Sequence, residues 1–396
     1  MGRGGGGAQG GSAVKLRVLH VITMLELGGA QRNTLDTVRQ LDRQRFTLGL
    51  ACGLGGELYP EGASLPDTEF FPIPHLRREV RPLSDWRAFG ELRSAIRAFS
   101  PHIVHTHSSK AGVLGRLSAW CEGVPIIIHS VHGFGFGPHQ WLPVRAAFMA
   151  AEKLVATMTT AFIAVSRENL ETGVQLGLFP RERVTVIRSG IDLRAFSQAA
   201  DGQAVREELA IPPEAPVVLQ VSCFKPQKAP ERFVELSARL APVLPEARFL
   251  LVGDGELRER LERLRQKWGL EQRLHFLGWR RDVPRLLRAA NVVTLTSRFE
   301  GLPRVLVEAR CAGVAVVAMA VDGVVEVVVD GVNGFLVPPG DVATMAEKVA
   351  LLLANPELAR ALGEAGKQGL EEFSVERMVA DQEALYLKLW GQRVGS

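Results

Sequence analysis

Residues 292–313 read VVTLTSRFEGLPRVLVEARCAG. The first five residues form a short apolar, β-branched run, as expected of a strand buried on both faces. Glu300 lies in the loop behind that strand. Gly301 frees the backbone, and Pro303 suits the first turn of a helix over residues 302–312. The amides near residues 301–304 then point out of a helix N-terminus, a position suited to a phosphate. Glu308 follows Glu300 at E-x7-E. A carboxylate beside a phosphate is unfavourable unless it accepts hydrogen bonds from neutral hydroxyls. The pair therefore suggests a ligand carrying both phosphate and sugar. Two solvated glutamates at helix ends would show the same spacing.

Outward from this stretch, strands alternate with helices along the 396-residue chain. Apolar runs at residues 16–23 (LRVLHVIT), 45–51, 103–106, 125–130 and 161–165 form a first series. Runs at 216–221, 248–252, 274–276, 292–296, 315–318 and 334–337 form a second. Such alternation means parallel sheets with helices on both faces. The loop-rich stretch 190–213 separates the two series. The expected organisation is a flexible tail at 1–14, a first Rossmann-like domain at 15–195, a second at 196–374, and an amphipathic C-terminal helix at 375–396. Two doubly wound sheets create a cleft where their carboxyl ends face each other.

Apolar residues make up 46% and charged residues 23%, which excludes wholesale disorder. The longest stretch without Asp, Glu, Lys or Arg, residues 123–144, contains three His and three Pro and is no transmembrane helix. The N-terminal MGRGGGGAQGGSAVK has no apolar core and does not read as a secretory signal. Cys52, Cys121, Cys223 and Cys311 lie far apart without a C-x-x-C pair. That argues against disulfides and a zinc site and fits a cytoplasmic chain. Residues 1–200 carry 22 Lys and Arg against 16 Asp and Glu, whereas residues 201–396 carry 25 against 27. The basic first half suits a phosphate-bearing partner or an anionic membrane face, or is an ordinary uneven surface. Nucleic acid is not expected as a partner: the net charge of +4 is modest and no basic–aromatic interleaving spans a groove.

Other segments surround E-x7-E with consistent signals. Residues 250–255 read LLVGDG, 277–279 LGW, and 321–340 VDGVVEVVVDGVNGFLVPPG. In this order and spacing, across roughly residues 15–390, the chain resembles glycosyltransferase family 4, a retaining group with the GT-B fold. The resemblance implies that Glu300 binds donor-sugar hydroxyls, that the segment Gly301, Leu302 and Pro303 after it, through its backbone amides, meets the diphosphate, and that Glu308 holds the ribose. Residues 222–230, SCFKPQKAP, look like the family's Gly-Arg-Leu-x-x-x-Lys-Gly loop. Lys228 matches its lysine, but Cys223 stands where the arginine belongs. Lys225 is the nearest substitute charge, without the guanidinium fork. The Gly28–Gly29 turn in LGGAQRN resembles the family's loop that approaches donor phosphate and acceptor.

Histidines gather at strand ends, in HTHSSK at 105–110 and HSVHGFGF at 129–136. They match no standard zinc spacing. The resemblance puts His132 in the cleft near the donor sugar and acceptor, with His107 a further candidate for that pocket. His129 points the opposite way on its strand, toward core. No D-x-D motif is present. The diphosphate charge is expected to be met by Lys228, Lys225 and helix amides, without a metal or other cofactor.

The expected activity is retaining transfer of a sugar from a nucleotide-diphosphate donor to a sugar or polyprenyl-linked acceptor in cell-surface polysaccharide or glycolipid synthesis. A nucleotide-sugar 2-epimerase, a phosphorylase and a non-catalytic binding subunit are the competing readings. Within residues 75–99, Trp86, Phe89, Leu92, Ile96 and Phe99 recur at helical spacing, flanked by Arg87, Arg93 and Arg97. This is either a basic helix on a membrane or a sheet-packing helix with a solvated basic face. Phe134, Phe136 and Trp141 are candidates to receive a lipid-linked acceptor or a sugar face.

Overall fold

The computed structural model describes residues 15–134 and 141–395. Phe136 therefore lies outside the described residues. The first sheet has seven strands: β1 (Leu16–Ile22), β2 (Phe46–Cys52), β3 (Thr68–Pro72), β4 (Ile103–His107), β5 (Ile126–Val131), β6 (Ala161–Ala164) and β7 (Val184–Val186). They lie in the order β3-β2-β1-β4-β5-β6-β7, all parallel. The second has six: β8 (Val217–Val221), β9 (Arg248–Val252), β10 (Leu274–Phe276), β11 (Val292–Leu295), β12 (Ala315–Met319) and β13 (Phe335–Val337). Their order is β10-β9-β8-β11-β12-β13, again parallel.

Each sheet reverses its strand order once, between β1 and β4 and between β8 and β11. Ligands of doubly wound sheets sit outside the carboxyl ends of strands at such switch points. Every candidate site segment lies there. Gly28 and Gly29 follow β1, His107 ends β4, and His132 follows β5. The Lys225–Lys228 loop follows β8, and Glu300 follows β11. The central strands bury nearly every side chain, in keeping with sheets covered on both faces.

Sequence reading missed β3 and β7. Both are edge strands, one half-exposed and the other three residues long, so neither carries a buried apolar run. The basic helix runs Pro82–Phe99 and carries the helical spacing from Trp86 to Phe99. It packs Ala88, Leu92, Ala95, Ile96 and Phe99 against the first sheet, while Trp86 is 74% exposed. Arg93 and Arg97 both bond Glu122. Among the described residues no helix is long and apolar enough to cross a membrane. All four cysteines are free.

The C-terminal helix, Val375–Val394, packs on the first sheet. Val375, Met378, Val379, Leu385 and Tyr386 share a buried cluster with Leu16, Val18, Ile22, Leu35 and Phe46. The chain thus crosses between domains twice, and the crossings touch: the Ile191 N–H donates to the Phe373 carbonyl at 2.8 Å, and the Val375 N–H to the Ile191 carbonyl at 3.0 Å. Gly190 permits this, because a Cβ there would collide with the Val375 backbone. Tyr386 is fully buried, its hydroxyl 2.6 Å from His105 Nδ1. Tyr386→Phe leaves that buried nitrogen without its partner. Denaturant unfolding should show a loss of about 1–3 kcal/mol.

Candidate functional site

The loop behind β11 holds Glu300 by three contacts. Lys228 Nζ donates to both carboxylate oxygens at 2.6 and 2.7 Å. Ser297 Oγ donates to Oε1 at 2.6 Å. The Glu300 N–H donates to Asp322 Oδ2 at 2.8 Å. Glu300 is 5% exposed. Burial pulls the Lys228 ammonium downward, but the Glu300 carboxylate, with a smaller contribution from Cys223, raises it overall. Lys228 therefore stays charged, and in this state it neutralises Glu300 rather than facing open cleft.

Pro303 is not in the first helical turn. It is the N-cap, extended at φ −77° and ψ 92°, and the helix runs Arg304–Cys311. The amides of residues 301–304 nonetheless lie at its mouth, with no acidic residue in the first turn. Gly301 is buried against the other domain. A Cβ on it would collide with the His132 carbonyl, and one on Gly323 would collide with the Gly301 carbonyl. Gly301 lets the E-G loop meet His132–Gly133 backbone to backbone across the cleft, and Gly323 lets Asp322–Gly323 pack on that loop within the second domain. Leu302 is buried beneath them.

Gly28 and Gly29 form the exposed start of the helix Gly29–Gln40, which also has no acid in its first turn. Gly29 faces Arg304: a Cβ there would lie 3.5 Å from Arg304 Cδ. Sequence reading passed over Arg304, yet its guanidinium lies 3.3 Å from Asp36 and 3.9 Å from Glu308. Burial raises the Glu308 carboxyl, against the opposing charge of Arg304. Lys225 Nζ reaches across to Glu26 Oε2 at 3.0 Å. Lys225 and Lys228 thus lie on opposite sides of the loop, each paired with a carboxylate. Asp36, Glu26 and Asp322 had no sequence signal, because their roles exist only across the closed chain.

His132 is half-buried and lines a cavity of about 840 Å³. His107 is not in that pocket. It is fully buried behind His132, with its Nδ1 3.1 Å from His132 Nε2. His129 is buried, bonded to Thr106, as its strand position implied. Burial, then the Arg304 charge, pushes His132 down to about 4, so the ring is neutral near pH 7. The cavity runs from His132, Lys225 and Glu26 toward an apolar wall of Val113, Leu114, Val144, Ala147 and Phe148.

Fold and geometry together place the helix mouth at residues 301–304 and the carboxylates of Glu300 and Glu308 in a cleft between two Rossmann-like domains. Sequence comparison gives the family. Residues 27–195 match the model for Glycosyltransferase Family 4, and residues 201–369 that for Glycosyl transferases group 1. The chain belongs to this glycosyltransferase family. It is 32% identical over 333 residues to the UDP-Gal:alpha-D-GlcNAc-diphosphoundecaprenol alpha-1,3-galactosyltransferase of Escherichia coli, covering 83% of this chain and 85% of that one. Among solved structures, sucrose-phosphate synthase from Thermosynechococcus elongatus superposes with a TM-score of 0.81 at 22% identity, covering 95% of this chain and 100% of that one. Anabaena HepE in complex with UDP-glucose gives 0.79 at 23% identity, covering 94% and 99%. Both likenesses show the GT-B fold.

Proposed function

We propose that the protein transfers a hexosyl group from a UDP-sugar to a sugar carried on a polyprenyl diphosphate, with retention of configuration and without a metal. The observation that carries the acceptor reading is the cavity behind His132. Its polar mouth lies beside the donor loop and its far wall is apolar. The mouth suits a sugar and the wall a lipid. The E. coli relative supports the same reading, since its name specifies a UDP-sugar and a diphosphoundecaprenol-linked acceptor.

The reaction breaks a glycosyl–diphosphate bond and builds positive charge at the anomeric carbon. Helix-mouth amides at 301–304 and Lys228 stabilise the leaving diphosphate. Lys225, freed from Glu26, adds charge where Cys223 replaces the family's arginine. Glu300 and His132 hold sugar hydroxyls, and Glu308 the ribose. Front-face attack by the acceptor hydroxyl, whose proton passes to the departing diphosphate oxygen, forms the new glycosidic bond with retention. Lys228 moving from Glu300 to diphosphate couples donor entry to release of the carboxylate for the sugar.

A membrane role rests on the cavity rim. Val80 and Val144 both line the cavity, so the segments carrying exposed Val80, Leu83, Trp86, Trp141 and Leu142 share one edge, alongside exposed Arg77, Arg78, Arg81 and Arg87. Such a rim suits peripheral docking on an anionic bilayer carrying the acceptor.

The test is a transfer assay with UDP-, GDP- and ADP-sugars and a polyprenyl-diphosphate-linked N-acetylhexosamine, with and without EDTA. One UDP-sugar should yield α-linked product at an EDTA-independent rate. Transfer only to soluble sugars, or loss with EDTA restored by a divalent cation, would overturn the acceptor or the metal-free assignment respectively.

A further inference from the structure

We propose that His20 and His107 are positioning residues that fix the tautomer of His132, so that His132 presents an Nδ1–H donor to the cleft. The inference deepens the reading of His132 as a substrate-contacting group and rests on it.

Three rings form a line from the sheet interior to the cleft. His20 Nδ1 is 3.1 Å from His107 Nε2, and His107 Nδ1 is 3.1 Å from His132 Nε2. The line exists because β1 and β4 pair in a register that sets His20 directly beside His105, two residues before His107. His20 and His107 are fully buried. Burial holds all three rings neutral near pH 7: His20 at about 3, His132 at about 4, and His107 well below its usual range. The nearby charges are cationic, Arg43 toward His20 and Arg304 toward His132, and they reinforce neutrality.

Proton counting then fixes the direction. Three neutral imidazoles carry three N–H groups. Two occupy the two hydrogen bonds, and the third must lie at one end. At the inner end it would be His20 Nε2–H. That atom is buried and has no hydrogen-bond partner among the described residues. An orphaned buried donor is rarer and costlier than an orphaned acceptor. At the outer end it would be His132 Nδ1–H, on a ring that lines the cavity. The outer placement wins. His20 donates to His107, His107 donates to His132 Nε2, and His132 is left as a donor toward a sugar oxygen. His105 stands outside the line, its two nitrogens taken by Tyr386 and Ser130. Holding one imidazole tautomer through a second group is a known determinant of rate where a histidine acts on substrate.

The test uses the full chain labelled with ¹⁵N-histidine and long-range ¹H–¹⁵N correlation at neutral pH, with His132→Gln assigning the His132 signals. Wild type should show His107 and His132 as Nδ1–H tautomers, against the Nε2–H form that free neutral histidine favours. His20→Glu puts an acceptor where His20 donates, so His107 must carry its proton on Nε2; the variant should shift His132 toward Nε2–H and lower kcat about tenfold with donor KM unchanged, one hydrogen bond's effect. His20→Asn keeps an N–H in the donor position and should retain the wild-type tautomer and rate. Nε2–H on wild-type His132, or unchanged Nδ1–H in folded His20→Glu, would overturn the proposal. So would loss of these N–H signals on adding Zn²⁺ alone, which would instead assign a metal site to His20, His105 and His107, whose nitrogens cluster within 4.8 Å. Should His20→Glu fail to fold, the wild-type spectrum decides. The tautomer readout needs no turnover, so it fails or stands separately from the glycosyl-transfer reading.

Discussion

Lys228→Ala should lower kcat/KM for the donor by about 10²–10³, the usual cost of one preorganised group facing a developing anion. Lys228 has two tasks in sequence. Before donor binds, it neutralises Glu300 through two hydrogen bonds in a buried loop. After donor binds, it faces the leaving diphosphate. The alanine variant loses both. It also leaves a buried carboxylate with Ser297 as its remaining side-chain donor, a situation that costs about 3–5 kcal/mol when a buried pair is broken. The double variant Lys228→Ala/Glu300→Gln removes the uncompensated charge. It should regain most of the stability in a denaturant titration and none of the activity. Recovery of transfer in the double variant would show that Lys228 serves only to neutralise Glu300.

Gly301→Ala should reduce transfer at least about 100-fold while the two domains each remain folded. The added methyl points at the His132 carbonyl, so the backbones cannot keep their present approach. Separation moves His132 away from the donor loop, and a displacement of about 1 Å at reacting groups costs roughly 10²-fold. The strain itself is of overpacking size, about 1–3 kcal/mol. It can be relieved by opening the cleft, so thermal unfolding should change little while donor KM and kcat both worsen. A variant with wild-type turnover would mean that the close approach of Gly301 and His132 is not used in the reaction.

The fold was legible because its central strands are short apolar runs with turn signals between them, and parallel sheets bury such strands completely. β3 and β7 escaped because edge strands need no such run. In the site, Glu300, Lys228 and the glycine turns were legible because they sit at strand ends in recognisable local patterns. Glu26, Asp36, Asp322 and Arg304 were not. Their partners are distant in sequence: Arg304 reaches Asp36 across 268 positions and Lys225 reaches Glu26 across 199. His107 was visible as a cleft histidine but misplaced, since only strand register shows that His20 and His107 stand behind His132. Gly301 was read as backbone freedom, yet its φ lies outside the positive region and its role is close approach.

The central claim is that a nucleotide diphosphate binds between the helix mouth at residues 301–304 and the Gly28–Gly29 turn, drawing Lys228 off Glu300. A crystal structure of the wild-type chain with UDP tests it directly. The account expects the distal phosphate against the N–H groups of Leu302 and Arg304, with Lys228 Nζ on a phosphate oxygen and Glu300 released to the cleft. UDP bound elsewhere, with the Lys228–Glu300 pair intact, would contradict it.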